Sequence, residues 1–301
     1  MSYMVTGGAG FIGSHVVDRL LGKNGDVSII DNLSTGRQNN LNPAASFYKM
    51  DICDRDLSTA ISDIRPKAVF HLAAQVSVPR SIENPYEDAR VNVLGTVNLL
   101  EACVKAGVKR VIFSSSAAVY GLPQYLPIDE DHPQFTISPY GTSKVTAEKY
   151  LQLYNRLYGL EYVILRYANV FGPRQDAEGE GGVVSIFAQA MQNGMPLKIY
   201  GDGEQTRDFI FVKDVVGANQ AALLCESAAI VNVSTTRATS VNQLAALMAG
   251  IGNFSSSIKH EPERPGDIRD SILCNSRAKE KLCWEPAYTL EQGIKEMLDY
   301  R

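Results

Sequence analysis

The chain carries two hydrophobic rhythms. Short runs (YMVTG, DVSIID, SFYKMD, AVFHLAA and RVIFSSS) are rich in Val, Ile and Phe, while FIGSHVVDRLLGK and VNVLGTVNLLEACVKAG repeat apolar residues every three or four positions. The first rhythm predicts strands and the second predicts helices. A helix from about 140 to 158 and the strand EYVILRYANV continue the series. Strand–helix alternation of this kind predicts an α/β fold whose parallel sheet is covered by helices on both faces.

The texture changes after Asn169. GPRQDAEGEGG reads as a glycine- and charge-rich loop, followed by the helix-like VVSIFAQAMQNG and the strand-like LKIYG. DFIFVKDVVGANQAALLCE then reads as one more strand–helix unit of the main sheet. The expected organisation is a dinucleotide-binding domain over residues 1–169, to which a segment of about 205 to 235 returns. A smaller α/β lobe is built mainly from residues 170–301. There is no internal repeat and no low-complexity linker.

Hydrophobic residues make up 45% of the 301 positions and charged residues 21%, which suits a globular chain with a sizeable core. A formal net charge of −4 gives no reason to expect nucleic acid or an anionic membrane as partner. No apolar run reaches membrane-spanning length, and with a strand-and-glycine motif beginning almost at Met1 no signal peptide is expected. Cys53, Cys103, Cys225, Cys274 and Cys283 are scattered and form no CxxC. They are expected to be reduced thiols in a cytoplasmic protein. His15, His71, His132 and His260 have no metal-ligand spacing, so no metal site is expected.

Candidate chemistry begins at VTGGAGFIGSH, where Gly7, Gly10 and Gly13 follow the first strand with GxxGxxG spacing and open a helix. Such a turn lets backbone N–H groups approach a pyrophosphate, which the positive end of the helix then faces. Asp31 ends the second strand, where a carboxylate can accept from ribose hydroxyls and would repel a 2′-phosphate. NAD is therefore favoured over NADP, although Arg37 lies close by and weakens that inference. Farther on, SPYGTSK sets Tyr140 and Lys144 at i, i+4 on one helical face. By spacing alone the pair is an ordinary surface contact or an acid–base tyrosine tuned by a lysine.

TGGAGFIG, HLAA, SSSAAVYG, YGTSK and LRYANVFGP together resemble the extended short-chain dehydrogenase/reductase family, and the likeness continues through RDFIFVKD and RPGD. Within that family the chain is similar to the branch that epimerises UDP-sugars at C4. The resemblance implies a Rossmann-type doubly wound sheet, retained NAD, and reversible interconversion of UDP-galactose and UDP-glucose through a 4-keto sugar. Tyr140 would be the general base, its pKa lowered by Lys144 and the oxidised nicotinamide. Ser116 would hydrogen-bond the reacting hydroxyl, with Ser114 and Ser115 satisfying backbone groups at the strand end. Implied NAD contacts are Gly7, Gly10, Phe11, Ile12, Gly13, Asp31, Asn32, Ser34, Thr35, Gly36, Asp51, Ile52, Leu72, Ala73, Ala74, Gln75, Asn92, Ser114, Tyr140, Lys144 and Tyr167. Implied substrate contacts are Ser116, Tyr140, Asn169, Val183, Lys198, Ile199, Tyr200, Arg207, Arg264, Asp267 and Ser271.

Departures from the family narrow the reading. Ala117 and Ala118 stand where sugar dehydratases carry an Asp–Glu pair, so simple oxidation and re-reduction remains. HLAAQVSVPRS lacks the lysine found after the fourth strand in many relatives, a role that Gln75 or Ser77 could cover in part. Ser271 is small where a bulky tyrosine is common, which would admit UDP-N-acetylhexosamines. An uronic-acid 4-epimerase or a reductase is the principal alternative, and a non-catalytic NAD sensor a more distant one. The family also implies a homodimer formed through a helical pair that includes the Tyr140 helix.

Overall fold

In the computed structural model, residues 1–177, 182–255, 257–263 and 268–300 are described. The first half runs β1 (Ser2–Thr6), α1 (Phe11–Leu21), β2 (Asp26–Asp31), β3 (Ser46–Lys49), α2 (Leu57–Ile64), β4 (Ala68–His71), α3 (Val78–Glu83), α4 (Pro85–Ala89), α5 (Gly95–Ala106), β5 (Arg110–Ser116), α6 (Pro139–Tyr158) and β6 (Glu161–Tyr167). The second half adds β7 (Asn169–Phe171), α7 (Val183–Gln192), β8 (Leu197–Tyr200), β9 (Thr206–Arg207), β10 (Phe209–Phe211), α8 (Val212–Ala222), β11 (Ala229–Val233) and β12 (Thr239–Ser240). It ends with α9 (Val241–Ile251), β13 (Ile258–Glu261), β14 (Asp270–Ser271), α10 (Ser276–Leu282) and α11 (Leu290–Asp299).

Seven strands form one sheet in the order β11-β6-β5-β4-β1-β2-β3, each pair parallel. Successive side chains on a strand point to opposite faces. On β1, Met4 joins the core under α2, α5 and α6, while Val5 joins the core under α1, α8 and α10. Val69 and Phe70 on β4, and Ile112 and Phe113 on β5, divide in the same way. Strands that must fill two layers read as nearly continuous apolar runs, hence their visibility in the sequence. The strand order reverses between β1 and β4, which opens a crevice at the C-terminal strand ends.

EYVILRYANV does not form one strand. At Ala168 the chain changes sheets: the Ala168 N–H donates to the Val233 carbonyl and the Asn169 N–H to the Asp208 carbonyl. β6 therefore stays in the main sheet while β7 pairs with β10. This corrects the assignment of DFIFVKDVVGANQAALLCE to the main sheet. Its helix α8 does pack on α1, but its strand β10 lies outside, and the edge strand beside β6 is β11. Phe209 and Phe211 face the second lobe and Ile210 the main core, so β10 ties the two together. The second lobe buries Phe187, Leu197, Ile199, Leu244, Met248 and Ile294 around those phenylalanines.

Candidate active site

The crevice is a cleft of about 260 Å³ running from the β1–α1 turn to the start of α6. Gly7 sits at φ +71°, and a Cβ there would stand 2.7 Å from the Ala73 backbone nitrogen. The bare turn thus lies directly against the chain after β4, leaving open a floor on which a pyrophosphate fits. Along the cleft follow Gly10, Phe11, Ile12 and Gly13, then Asp31, Asn32, Ser34, Thr35 and Gly36, then Asp51, Ile52, Leu72, Ala73 and Ala74. Asp31 accepts from the backbone N–H groups of Ala9 (2.9 Å) and Leu33 (2.8 Å), one on each carboxylate oxygen. Burial pushes its carboxyl up, and those two donors pull it back. Each oxygen keeps acceptor capacity for a ribose hydroxyl. Arg37 is engaged elsewhere, its guanidinium 2.7 Å from the Asp176 carboxylate. The residues present therefore fit a dinucleotide, and the carboxylate without a free neighbouring arginine fits NAD.

At the far end Ser114, Ser116, Tyr140, Lys144 and Tyr167 line the same cleft. Ser138 caps α6 by accepting from the Gly141 N–H at 3.1 Å, with Pro139 at the first helical position. A Cβ on Gly141 would lie 2.5 Å from the Ala118 carbonyl oxygen, so only glycine lets α6 approach the turn that follows Ser116. The Tyr140 N–H donates to the buried Ser81 hydroxyl at 3.2 Å. One turn on, Lys144 Nζ donates to the Ser114 carbonyl at 2.9 Å. It also stands 4.9 Å from the Phe113 ring centroid and 5.9 Å from that of Tyr140. Burial lowers the Lys144 pKa to about 8, against the opposing charges of Asp88 and Glu148.

Ser115 departs from its expected role. Its hydroxyl donates at 2.5 Å to Glu148, a carboxylate also held by Arg166 at 2.6 and 3.0 Å. Ser114 contributes its carbonyl to Lys144, not a backbone cap. Gln75 and Asn92 are not among the residues lining the cleft. The Asn92 side chain clamps the Gln75 backbone from behind, accepting from its N–H and donating to its carbonyl, both at 2.8 Å. Ile30, Met50, Val76, Val91, Ala168, Val170 and Gln175 line the cleft without having been singled out. Most are aliphatic, and an apolar wall has no motif by which to find it.

Toward the second lobe, Asn169 opens β7 and Val183 opens α7. β8 alternates: Leu197 and Ile199 are buried, while Lys198 and Tyr200 face outward. The Ile199 side chain is a core group, so only its backbone is available to a ligand. Arg207 pairs in register with Ser271 across β9 and β14, and its Nη1 donates to the Thr206 carbonyl at 2.8 Å. Tyr200 also borders a smaller cleft of about 150 Å³ with Asp202, Gln205 and Arg269. Arg264 and Asp267 lie outside the described residues. Among the described residues no cluster of His, Cys, Asp or Glu could hold a metal ion, and no helix is long and apolar enough to cross a membrane.

Comparison with known proteins gives the same fold and extent. The chain is 47% identical to the UDP-glucose 4-epimerase of Thermotoga maritima, solved with UDP-glucose, covering 100% of this chain and 98% of that one with a TM-score of 0.98. It is 39% identical to the Thermus thermophilus UDP-glucose 4-epimerase solved with NAD, over 100% and 98% of the two chains, with a TM-score of 0.94. It is also 45% identical to the UDP-glucose 4-epimerase of Mycolicibacterium smegmatis, over 100% of this chain and 98% of that protein. Residues 3–234, which include the glycine-floored groove and the Ser116, Tyr140 and Lys144 at its end, match a single family description. The chain belongs to the NAD dependent epimerase/dehydratase family.

Proposed function

We propose that this chain is an NAD-dependent UDP-sugar 4-epimerase that interconverts UDP-glucose and UDP-galactose. The observation that carries the reading is one cleft holding both a dinucleotide floor and, at its end, Ser116, Tyr140 and Lys144. Ala117 and Ala118, with no proton to transfer, follow Ser116 into the next turn. On the floor lined by Gly7, Gly10, Gly13 and Asp31, NAD would supply a reversible hydride acceptor for C4 of the sugar. Ser116 orients the C4 hydroxyl. Tyr140 takes the proton of that hydroxyl and returns it to the same oxygen once the turned 4-keto sugar has received hydride on the opposite face of C4, and Lys144 holds positive charge beside the phenolate that forms. Asn169, Arg207, Tyr200 and the backbone at Ile199 hold the nucleotide diphosphate, with Val183 and Lys198 alongside. Gln75 and Asn92 support the cofactor from beneath. Ser271 leaves room at the sugar for an N-acetyl group.

We further propose a homodimer formed across the α4–α5 and α6 helices. Tyr86, Leu94, Leu157 and Tyr158 are exposed there, as apolar side chains reserved for an interface would be. We also propose a cytoplasmic setting and a place in galactose metabolism, a reading supported by the proposed substrates and by the five free cysteines.

The test is incubation of purified protein with UDP-galactose and no added cofactor, followed by separation of the UDP-sugars. Conversion to UDP-glucose without accumulating NADH is the expected result. A net yield of NADH would make the protein a dehydrogenase, and no product even with NAD⁺ added would overturn the substrate assignment.

A further inference from the structure

Between Ser114 and Ser116 stands a serine to which the proposed reaction gives no part. Ser115 is 3% exposed, and its hydroxyl donates to the Glu148 carboxylate at 2.5 Å, within the range of a charge-assisted O–H···O⁻ bond. Glu148 is itself fully buried. It accepts two bonds from Arg166, at 2.6 and 3.0 Å, and one from the Gln134 amide at 3.3 Å. Arg166 comes from β6, where it stands opposite Ser115 in the strand register. Its Nη1 donates to the Tyr120 hydroxyl at 3.0 Å and to the Glu130 carbonyl at 3.3 Å, both in the segment that follows Ser116. One buried carboxylate thus gathers β5, β6, α6 and that segment.

We infer that Ser115 is a positioning residue: through Glu148 it fixes where α6 sits along the end of β5, and so sets Tyr140 and Lys144 against Ser116. The inference rests on the roles given above to those three residues. α6 meets the end of β5 and the turn beyond it along one stripe of its surface. Gly141 packs against the Ala118 carbonyl, Lys144 Nζ donates to the Ser114 carbonyl, and Glu148 accepts from Ser115. These helix positions are i, i+3 and i+7, which share a face. The Gly141 contact is a close approach without a bond, and Lys144 reaches its acceptor through a flexible four-carbon stem. Ser115 reaches Glu148 from a hydroxyl one bond beyond its Cβ, so this tie tolerates the least sliding. Arg166 already supplies the counter-charge of Glu148, and neutrality does not require the serine. A buried ion pair adds little net stability over an apolar filling, and its best-attested use is to fix a register. Here the register is that of the Tyr140 helix on the Ser116 strand. A slip of about 1 Å in such an alignment can cost on the order of 10²-fold in rate.

The test uses the NAD-loaded full chain and compares wild type with Ser115→Ala, which loses the hydroxyl and leaves Glu148 paired with Arg166. Ser234→Ala is the control. It removes another fully buried serine hydroxyl, one that donates to the Leu273 carbonyl at 3.1 Å and does not line the cleft. For each protein kcat and KM for UDP-galactose, NAD bound per chain and the urea midpoint are measured. Ser115→Ala should lower kcat by about tenfold or more with KM and bound NAD unchanged, because the binding groups stay and only their alignment with the reacting atoms is lost. Ser234→Ala should lower the urea midpoint to a similar extent, as loss of one buried hydrogen bond does, and leave kcat unchanged. Full kcat in Ser115→Ala, beside an inactive Tyr140→Phe, overturns the inference alone. Equal loss of kcat in the two serine variants also overturns it, since activity would then follow stability. So does a loss of bound NAD or a rise in KM that accounts for the lost rate. A fully active Tyr140→Phe overturns the catalytic pair and this inference with it.

Discussion

Lys144→Met separates what the buried ammonium does for chemistry from what it costs the fold. Lys144 is 4% exposed, and burial is the main reason its pKa falls from 10.5 to about 8. The unfolded chain keeps that proton until about pH 10.5, whereas the folded chain releases it near pH 8. Between those values the folded state binds fewer protons, so stability contributed at this site rises with pH through the window. Below pH 8 the charged lysine burdens the folded state by about 3 kcal/mol, an order-of-magnitude figure from the gap between the two pKa values. A methionine of similar length carries no such burden and no such pH dependence. The stability of wild type relative to Lys144→Met should therefore improve by about 2 kcal/mol from about pH 7 to about pH 9.5. Urea unfolding of nucleotide-free protein, followed by circular dichroism at several pH values, measures it. Titrations shared by both proteins cancel in the difference. A difference that stays constant to within about 0.5 kcal/mol would refute the claim that Lys144 is a charge held at a cost. Its cause would then have to be sought outside burial.

Three further outcomes are expected. Tyr140→Phe should lower kcat by about 10²- to 10⁴-fold while the protein still purifies with NAD, because general acid–base catalysis is lost and the groove is not; equal loss of NAD would point to a structural defect. Arg166→Met should cost about 3–5 kcal/mol in denaturant unfolding, since it strands Glu148, which is fully buried and bonded by that arginine at 2.6 and 3.0 Å. Adding Glu148→Leu should recover most of that loss, and a double variant no better than the single one would contradict the account. Ser271→Tyr should lower kcat/KM for UDP-N-acetylglucosamine by about tenfold or more and leave UDP-glucose nearly unaffected, as a filled pocket rejects the larger sugar; parallel loss on both substrates would remove Ser271 from the specificity role.

The sequence by itself determined what local geometry dictates. Two-sided strands must be apolar along their whole length, so the main sheet was readable as short Val- and Ile-rich runs. A turn held at positive φ against the Ala73 backbone requires glycine, so the dinucleotide floor announced itself at Gly7. Tyr140 and Lys144 are four residues apart on one helix, and their shared face needs no tertiary information.

Tertiary structure decided whatever depends on residues far apart in the chain. The switch of sheets at Ala168 is set by two carbonyl acceptors, on Val233 and Asp208, that no reading of EYVILRYANV contains. DFIFVKD looks like a main-sheet strand because its three core residues are apolar, yet which cores they enter is settled by its pairing with β7. Ser115 looks like a strand-end serine until Glu148 and Arg166, from α6 and β6, converge on it. Asp88 reads as an ordinary aspartate on a charged helix. Only the fold removes it from water and occupies one of its oxygens with the Gln75 and Asn92 amides. Burial and hydrogen-bond partners are set by the folded neighbourhood, and they have no counterpart in spacing along the chain.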